Sequence, residues 1–509
     1  MPHSSRCRAD TRPTLPGSST VAARHGRVLA MSTPARVRYA GLAGSLLLAV
    51  AAYRGGAHSP WSPTITPGTI ITGQNGVVTP LAWLFGTALL IGAWWVGRRD
   101  LPSARWAYVT AALWMLPLLP FLPLGSYDAH SYACQGWQQA AGLDPYTGGV
   151  DLLGCPWADS VAPTWRSAPA PYGPVFLLLA AAAAKLGGSL GGTIAVLRGV
   201  AVLGVGLIAA SLPALTRRTG VPLERAVWLA LACPLVPIHL ISGAHNDAVM
   251  LGFLLAGLAL AAARRPLLAG ALFGLAIGVK ATAVVVVPFA LLLVYRPAGA
   301  PAGPRLGLRK AAELIVGVVA TIAAVSAVSG RGFGWIAGLT GSGISVQWTS
   351  PPTAVGMTIG LFGVNAVPVT RVLGIVLLVV VLVRLWWRAL SGGDVWLSTG
   401  YAMAATVVLA PVFHPWYATW ALALLAVTLR RESRWVLVPA AVVSALCLPD
   451  GYNLALALKT QGAVAMTVLL GYLGFVRFKI MKASYAAKSA DPQPARPDHP
   501  GDRLSRRDP

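Results

Sequence analysis

Apolar runs of roughly 20 residues, the length that crosses the hydrocarbon core of a bilayer, recur from Val37 almost to Phe478. A chain built this way has few folds open to it. Inside lipid every backbone amide and carbonyl must be bonded within the protein, so only α-helices and closed barrels can cross. These runs are too long and continuous for barrel strands. Of the 509 residues 56% are hydrophobic and only 11% are charged, against about 25% charged in a soluble domain. The expected fold class is an all-α polytopic membrane protein, with no internal repeat and no soluble segment long enough to form a core of its own.

A net charge of +24 invites a nucleic-acid reading, but the distribution argues against one. Lys and Arg sit in the two tails and in short turns between apolar runs, where the positive-inside rule places them. The expected contact of the basic tails is anionic membrane lipid, with no nucleic acid. Residues 1–36 lack the apolar core of a signal peptide and read as a disordered cytoplasmic tail, with Met31 as an alternative start. Residues 483–509 read as a second disordered cytoplasmic tail.

The same charge rule threads the chain. With the N-terminus inside, segments near 39–53, 80–96 and 106–122 cross in turn and deliver a loop of about 50 residues to the outer face, a length that in a compact domain is usually functional. Counting 174–186 as a further span would strand Arg217, Arg218, Arg225, Arg264 and Arg265 outside. Reading it as a juxtamembrane or half-inserted helix returns each of them to the cytoplasm. Basic turns then fall inside at 214–225, 264–266, 296–312, 384–394 and 430–434. Outer turns fall at 243–247, around Lys280, and at 330–365, 413–417 and 449–461. The count is about 14 spans, of a length near 20 residues or shorter, with both termini inside.

This topology filters the polar residues. Of 16 Asp plus Glu and eight His, the carboxylates of Asp128, Asp144, Asp151, Asp159, Asp247 and Asp450 and the imidazoles of His58, His130, His245 and His414 fall outside. Asp128 ends an apolar segment, where an ionised group is expensive unless water or a partner meets it. Asp144 precedes Pro145 and also reads as turn chemistry. His245-Asn246-Asp247 opens an apolar run, and its Asn or Asp is equally an ordinary helix cap. Lys280 and Arg166 either snorkel to the interface or hold a phosphate. Trp348 and Tyr417 belong to the aromatic belt that any membrane protein carries. His414 is the informative member beside them, since a neutral belt does not need it. Cys134 and Cys155 share the long outer loop, and their spacing leaves open whether they pair. No Cys/His zinc spacing is present.

The ordered set Asp128 to Tyr132 with Gln135-Gly136, Gly142 to Tyr146, Trp165-Arg166 with Pro169-Ala170-Pro171-Tyr172-Gly173-Pro174, Gly243 to Asp247, Gly278-Val279-Lys280, Trp348 to Pro351, and His414 to Tyr417 resembles the GT-C superfamily. Within it, the set resembles the polyprenol-phosphate-mannose-dependent α-1,6-mannosyltransferases that build lipomannan. The resemblance implies a GT-C-like helical bundle over residues 37–482 with an outer catalytic loop at 123–173 carrying juxtamembrane helices. It also implies an inverting transfer of mannose from a polyprenyl-phosphate-sugar donor to a mannan glycolipid acceptor, on the outer side of the inner (plasma) membrane. Asp128 matches the loop carboxylate that serves as base. Arg166, Lys280, His245 and His414 are the candidates to hold the departing phosphate, and Asn246, Asp247, Tyr132, Tyr172, Trp348 and Tyr417 the candidates to bind substrate.

The chemistry fits these residues. A sugar 1-phosphate carries a good leaving group, so one carboxylate to take the acceptor proton and one or two cations for the phosphate suffice. Two carboxylates are not required as they are in glycoside hydrolysis. No metal ligand is assigned; a divalent cation on Asp128 and Asp247 would have a thin ligand set. There is no Gly-rich phosphate loop on a strand–helix unit, which disfavours a nucleotide sugar. The rival readings are a transporter or flippase of a lipid-linked saccharide, and an arabinosyl or galactosyl transferase on the same scaffold. Transporters bind near the midplane of repeated halves, whereas the polar motifs here gather at one face.

Overall fold

The computed structural model describes residues 32–295 and 304–490. Met31, Cys7 and most of both expected tails lie outside the described residues, as does the turn at 296–303. The last helix, Lys459–Ala490, continues past position 483, where the second tail was expected to begin.

All regular structure among the described residues is helical. Six helices, Thr33–Gly55, Val78–Gly97, Leu190–Thr219, Arg305–Val328, Val367–Leu390 and Lys459–Ala483, are long and apolar enough to cross a membrane. A seventh candidate is a pair, Val236–Ser242 and Asp247–Ala262, bent by 107° at its break. These long helices are far fewer than the 14 spans expected from hydropathy, and the reason is interruption. Several apolar segments fold as shorter helices, among them Pro266–Val279, Ala281–Tyr295 and Val395–Leu409. A helix of 14 residues is about 21 Å long at 1.5 Å per residue, short of the ~30 Å hydrocarbon core.

Packing between the long helices follows from lipid being no worse a solvent for Leu than the protein is, so association relies on close approach. Helices Thr33–Gly55 and Val78–Gly97 lie side by side. A methyl group added at Gly44 would stand 2.8 Å from the carbonyl oxygen of Gly86. Behind them, two fully buried indoles exchange hydrogen bonds: Trp94 Nε1 donates to the Trp228 carbonyl at 3.3 Å and Trp228 Nε1 to the Trp94 carbonyl at 3.0 Å. A buried indole N–H needs such an acceptor.

Three of the basic turns meet. Arg98 Nε lies 3.3 Å from Glu432 Oε2, Arg225 Nη1 donates to the Arg430 carbonyl at 2.6 Å, and Arg430 Nε donates to the Thr219 carbonyl at 3.1 Å. Turns near 98, 219–225 and 430–432, all expected on the cytoplasmic side, are thus in direct contact.

The bent pair creates the main local difficulty of the fold. Residues Val236–Ser242 form a π-helical turn, Ala244 takes a positive φ of 52°, and a new helix starts at Asp247. A left-handed backbone at a non-glycine residue costs roughly 1–2 kcal/mol, and the break frees carbonyls that lipid cannot bond. Arg198, buried in the middle of helix Leu190–Thr219, meets this need. Its guanidinium donates to the carbonyls of Ile241 at 3.1 Å, Leu119 at 2.6 Å and Ser242 at 2.8 Å. The planar five-donor fork suits this task as an ammonium does not. Replacement Arg198→Met should therefore lower the thermal stability of the purified protein by about 2 kcal/mol or more, and Arg198→Lys should recover only part of it.

Candidate active site

The break in the bent pair points three consecutive polar residues, His245, Asn246 and Asp247, into the protein, all at most 2% exposed. The loop helix Asp128–Ala140 meets them from the long outer loop. Gly125, with φ of 68°, bonds through its N–H to the Leu448 carbonyl and turns the chain so that Asp128 heads that helix. Asp128 N–H donates to Ser126 Oγ at 3.0 Å, and the carboxylate occupies the first turn, the favourable end of the helix dipole.

Lys280 arrives from a third element. Helix Pro266–Val279 stops there and Lys280 is extended (φ −148°, ψ 119°), so its side chain leaves the helix direction. The Pro171-Tyr172-Gly173 ledge packs directly on this point. Gly173 N–H donates to the Val279 carbonyl at 3.2 Å, and a methyl at Gly173 would stand 2.3 Å from the Gly278 oxygen. Only glycine permits that approach. His414 comes from the loop before the turn Pro415–Tyr417.

Around these residues runs a connected polar network. Lys280 Nζ lies 2.7 Å from Asp247 Oδ1 in a buried ion pair, and Trp420 Nε1 donates to the same oxygen. His245 Nδ1 lies 3.7 Å from Asp128 Oδ2 and 3.9 Å from Asp247 Oδ2, and 3.2 Å from the Tyr132 hydroxyl. Aromatic faces complete it. Trp416 is stacked against His245 at 4.1 Å and against His414 at 4.6 Å. The Lys280 ammonium stands 4.7 Å from the Tyr417 ring centre, 5.0 Å from that of Trp420 and 5.8 Å from that of Tyr172, within cation–π range.

Two cavities converge on this network. A cavity of about 340 Å³ is walled by Trp61, Ser126, Tyr127, Gln347, Tyr452 and Asn453 among others. One of about 220 Å³ is walled by Tyr172, Lys280, Leu339, Pro411, Val412 and Tyr417 among others. Asp128, Trp165 and His414 line both. Burial raises the Asp128 carboxyl to about 6, against the pull of Lys280 and Ser126 toward lower values. A carboxyl poised near neutrality is suited to general-base work. Burial, reinforced by Lys280, lowers the His414 imidazole to about 3, so at neutral pH it is a neutral hydrogen-bonding group and not the cation the sequence reading offered.

Of the sequence candidates, the structure brings together Asp128, Tyr132, Tyr172, His245, Asp247, Lys280, His414 and Tyr417. Asn246 sits beside them at a helix start but makes no capping hydrogen bond, and neither polar atom of its side chain has a protein partner. Arg166 lies elsewhere: its Nε is 2.9 Å from Asp151 and its Nη1 is 3.6 Å from Asp159, which ties the outer loop to itself. Trp348 also stands apart, donating to the Ala455 carbonyl at 2.6 Å and covering Gly462 on the last helix. Asp144 accepts from the Tyr146 N–H at 3.0 Å, a turn role. Among the described residues no three His, Cys, Asp or Glu are grouped to hold a metal ion. Cys134 and Cys155 form a disulfide that ties the Asp128 helix to the loop leading to Trp165.

Sequence reasoning missed Trp61, Gln347, Trp416 and Trp420 as site walls. The belt rule for interfacial aromatics explains them equally well. The available signal was spacing: Trp416, Tyr417 and Trp420 share one helical face three and four residues apart, directly after His414.

Comparison with known proteins finds matches over most of the chain. Residues 38–296 match the family model described as alpha-(1->6)-mannopyranosyltransferase, N-terminal domain, and residues 351–476 match the MptB C-terminal domain. Alpha-(1->6)-mannopyranosyltransferase A of Mycobacterium tuberculosis is 34% identical over 422 residues, spanning 77% of this chain and 80% of its own. Alpha-(1->6)-mannopyranosyltransferase B of Corynebacterium glutamicum is 30% identical, spanning 77% of this chain and 72% of its own. No solved structure matches the chain.

The ion pair sets a stability expectation. Asp247→Asn leaves the buried Lys280 ammonium without its counter-charge and should cost about 3–5 kcal/mol in unfolding measurements. The double replacement Asp247→Asn with Lys280→Met should recover most of that loss.

Proposed function

The chain belongs to the alpha-(1->6)-mannopyranosyltransferase family, and from that premise we propose that it transfers mannose, with inversion, from a polyprenyl-phosphate-mannose donor to a growing α-1,6-mannan glycolipid on the outer face of the plasma membrane. The observation that carries the proposal is Asp128: a nearly buried carboxylate at the meeting point of two cavities, one of which contains the Lys280 ammonium.

The smaller cavity suits the donor. Lys280 supplies a positive charge for the phosphate, the rings of Tyr172 and Tyr417 flank it, and Leu339, Pro411 and Val412 offer an apolar wall to a prenyl chain. In the reaction the acceptor hydroxyl oxygen attacks the anomeric carbon. The bond from that carbon to the phosphate oxygen breaks, and polyprenyl phosphate departs with the electron pair. Asp128 takes the hydroxyl proton. Lys280 meets the charge that builds on the leaving phosphate, where a preorganised cation in a dry site is worth most. Lys280 is itself held by Asp247, so its position does not depend on the donor.

The outer-face assignment draws support from the contact of the basic turns near 98, 219–225 and 430–432, since cytoplasmic turns carry Lys and Arg. The rival flippase would move a lipid-linked saccharide without making a glycosidic bond, so product analysis separates the two. Family membership favours mannose over arabinose or galactose.

Membranes holding the protein should transfer label from polyprenyl-phosphate mannose to a short α-1,6-mannoside, and Asp128→Asn should slow that transfer by about 10²–10⁴-fold with folding intact. A base must be ionised to act, so the wild-type rate should fall as the pH drops through about 6, and that limb should be absent from the residual activity of Asp128→Asn. For sidedness, Ser62→Cys should react with a membrane-impermeant maleimide on intact cells, whereas Arg218→Cys should react only after lysis. The reverse pattern would overturn the outer-face assignment.

A further inference from the structure

The larger cavity differs in chemistry from its neighbour. Its charged walls are Asp128 at the junction and Lys459, which is exposed. Between them stand hydroxyls, amides and aromatic rings. Two residues that line it each carry a buried polar atom with no protein partner: Gln347 Oε1, in a residue 2% exposed, and His414 Nδ1, in one 6% exposed, which donates or accepts according to the tautomer. A buried polar atom left unsatisfied costs roughly 1–3 kcal/mol, so a sugar hydroxyl that reaches either one is rewarded. Gln347 is fixed in its orientation, since its Nε2 donates to Ser345 Oγ at 3.0 Å.

Two half-buried indoles, Trp61 and Trp165, line the same space. Trp61 is positioned by loop-to-loop bonds. Trp61 N–H donates to the Asp159 carbonyl at 2.7 Å and Ser160 Oγ to Ser59 Oγ at 2.6 Å. Ile65 N–H donates to Asp450 Oδ2 at 2.7 Å, and Tyr452 and Asn453 follow on the chain and wall the cavity. Segments near 61, 165, 347 and 452 therefore close around one volume, although more than 390 positions separate the first from the last in sequence (61 against 452).

We infer that this larger cavity is the acceptor chamber and that it holds the chain end of a neutral, hydroxyl-rich oligosaccharide, with Trp61 and Trp165 as ring-stacking plates and the Gln347 and His414 side chains as hydrogen-bonding partners for its hydroxyls. The assignment rests on the proposed transferase reading and deepens it. A phosphate would find no buried cation here, whereas a pyranose offers both an apolar C–H face for an indole and hydroxyls for the unpaired polar atoms. Among the described residues, the one carboxylate that lines the chamber, Asp128, stands at the end it shares with the donor cavity. A sugar hydroxyl seated there is presented to Asp128, and the preceding residues of the chain lie back toward Trp61. Trp61 thus contributes to affinity for acceptors longer than one sugar, and acts as a specificity-determining residue.

The test uses the purified full-length protein, polyprenyl-phosphate mannose, and octyl α-mannoside and its α-1,6-linked di- and tetrasaccharide homologues as acceptors. Trp61→Ala should raise the tetrasaccharide KM about tenfold or more, as loss of a buried aromatic anchor does. It should leave the donor KM within about twofold and narrow the preference for longer acceptors. Gln347→Leu, which keeps the volume, should raise acceptor KM alone, and Trp61→Phe should restore much of the lost affinity. An unchanged acceptor KM in both Trp61→Ala and Gln347→Leu, or a rise in donor KM instead, overturns the chamber assignment while the transferase reading stands. A wild-type protein that transfers mannose to none of the three acceptors overturns the transferase reading itself.

Discussion

Lipid imposes one rule on this fold: a helix can be broken only where something in the protein bonds the groups that the break sets free. Arg198 is that something. Its guanidinium binds the carbonyls of Ile241 and Ser242 at the end of the π-helical turn and that of Leu119 beneath the long loop. Because the broken helix is held open there, His245, Asn246 and Asp247 face inward at the base of two cavities. Without that clamp the same residues would lie along a continuous helix, three successive directions apart, and could not meet Asp128 and Lys280 together.

From the break outward, each polar residue secures the next. Asp247 holds Lys280 and Trp420. His245 stands between Asp247, Asp128 and Tyr132. Trp416 stacks on His245 and carries His414 to the cavity wall. A low-dielectric setting strengthens every one of these contacts and makes each unpaired group costly.

Much of this was legible in the sequence because ionisable residues in a chain with 11% charge are expensive and few. The topology filter left six carboxylates and four imidazoles, with Asp128, Asp247, His245 and His414 among them, and Lys280 stood out as a cation between apolar segments. The rest was hidden for physical reasons. Arg166 in a polar loop looks the same whether it faces a phosphate or the nearby Asp151 and Asp159. Trp348 looks the same as a belt residue, a site wall or a cover for Gly462. Hydropathy registers apolar composition and not continuity, so it did not show that the stretch around Val236–Ser242 is bent or that Pro266–Val279 is a short helix. Trp61 was invisible because it enters the site from a separate loop through backbone bonds, which leave no pattern in side-chain chemistry.

The Cys134–Cys155 bond joins the helix that begins with Asp128 to the loop that leads to Trp165, closing a sequence separation of 21 residues. A crosslink over such a loop removes roughly 3 kcal/mol of chain freedom from the unfolded state. The shape of this rim is therefore decided once, when the bond forms, and need not be found again at each encounter with substrate. The loop, whose own small apolar cluster of Cys134, Val150 and Val161 packs against Trp157 and Trp165, can then serve as a fixed wall between two chambers.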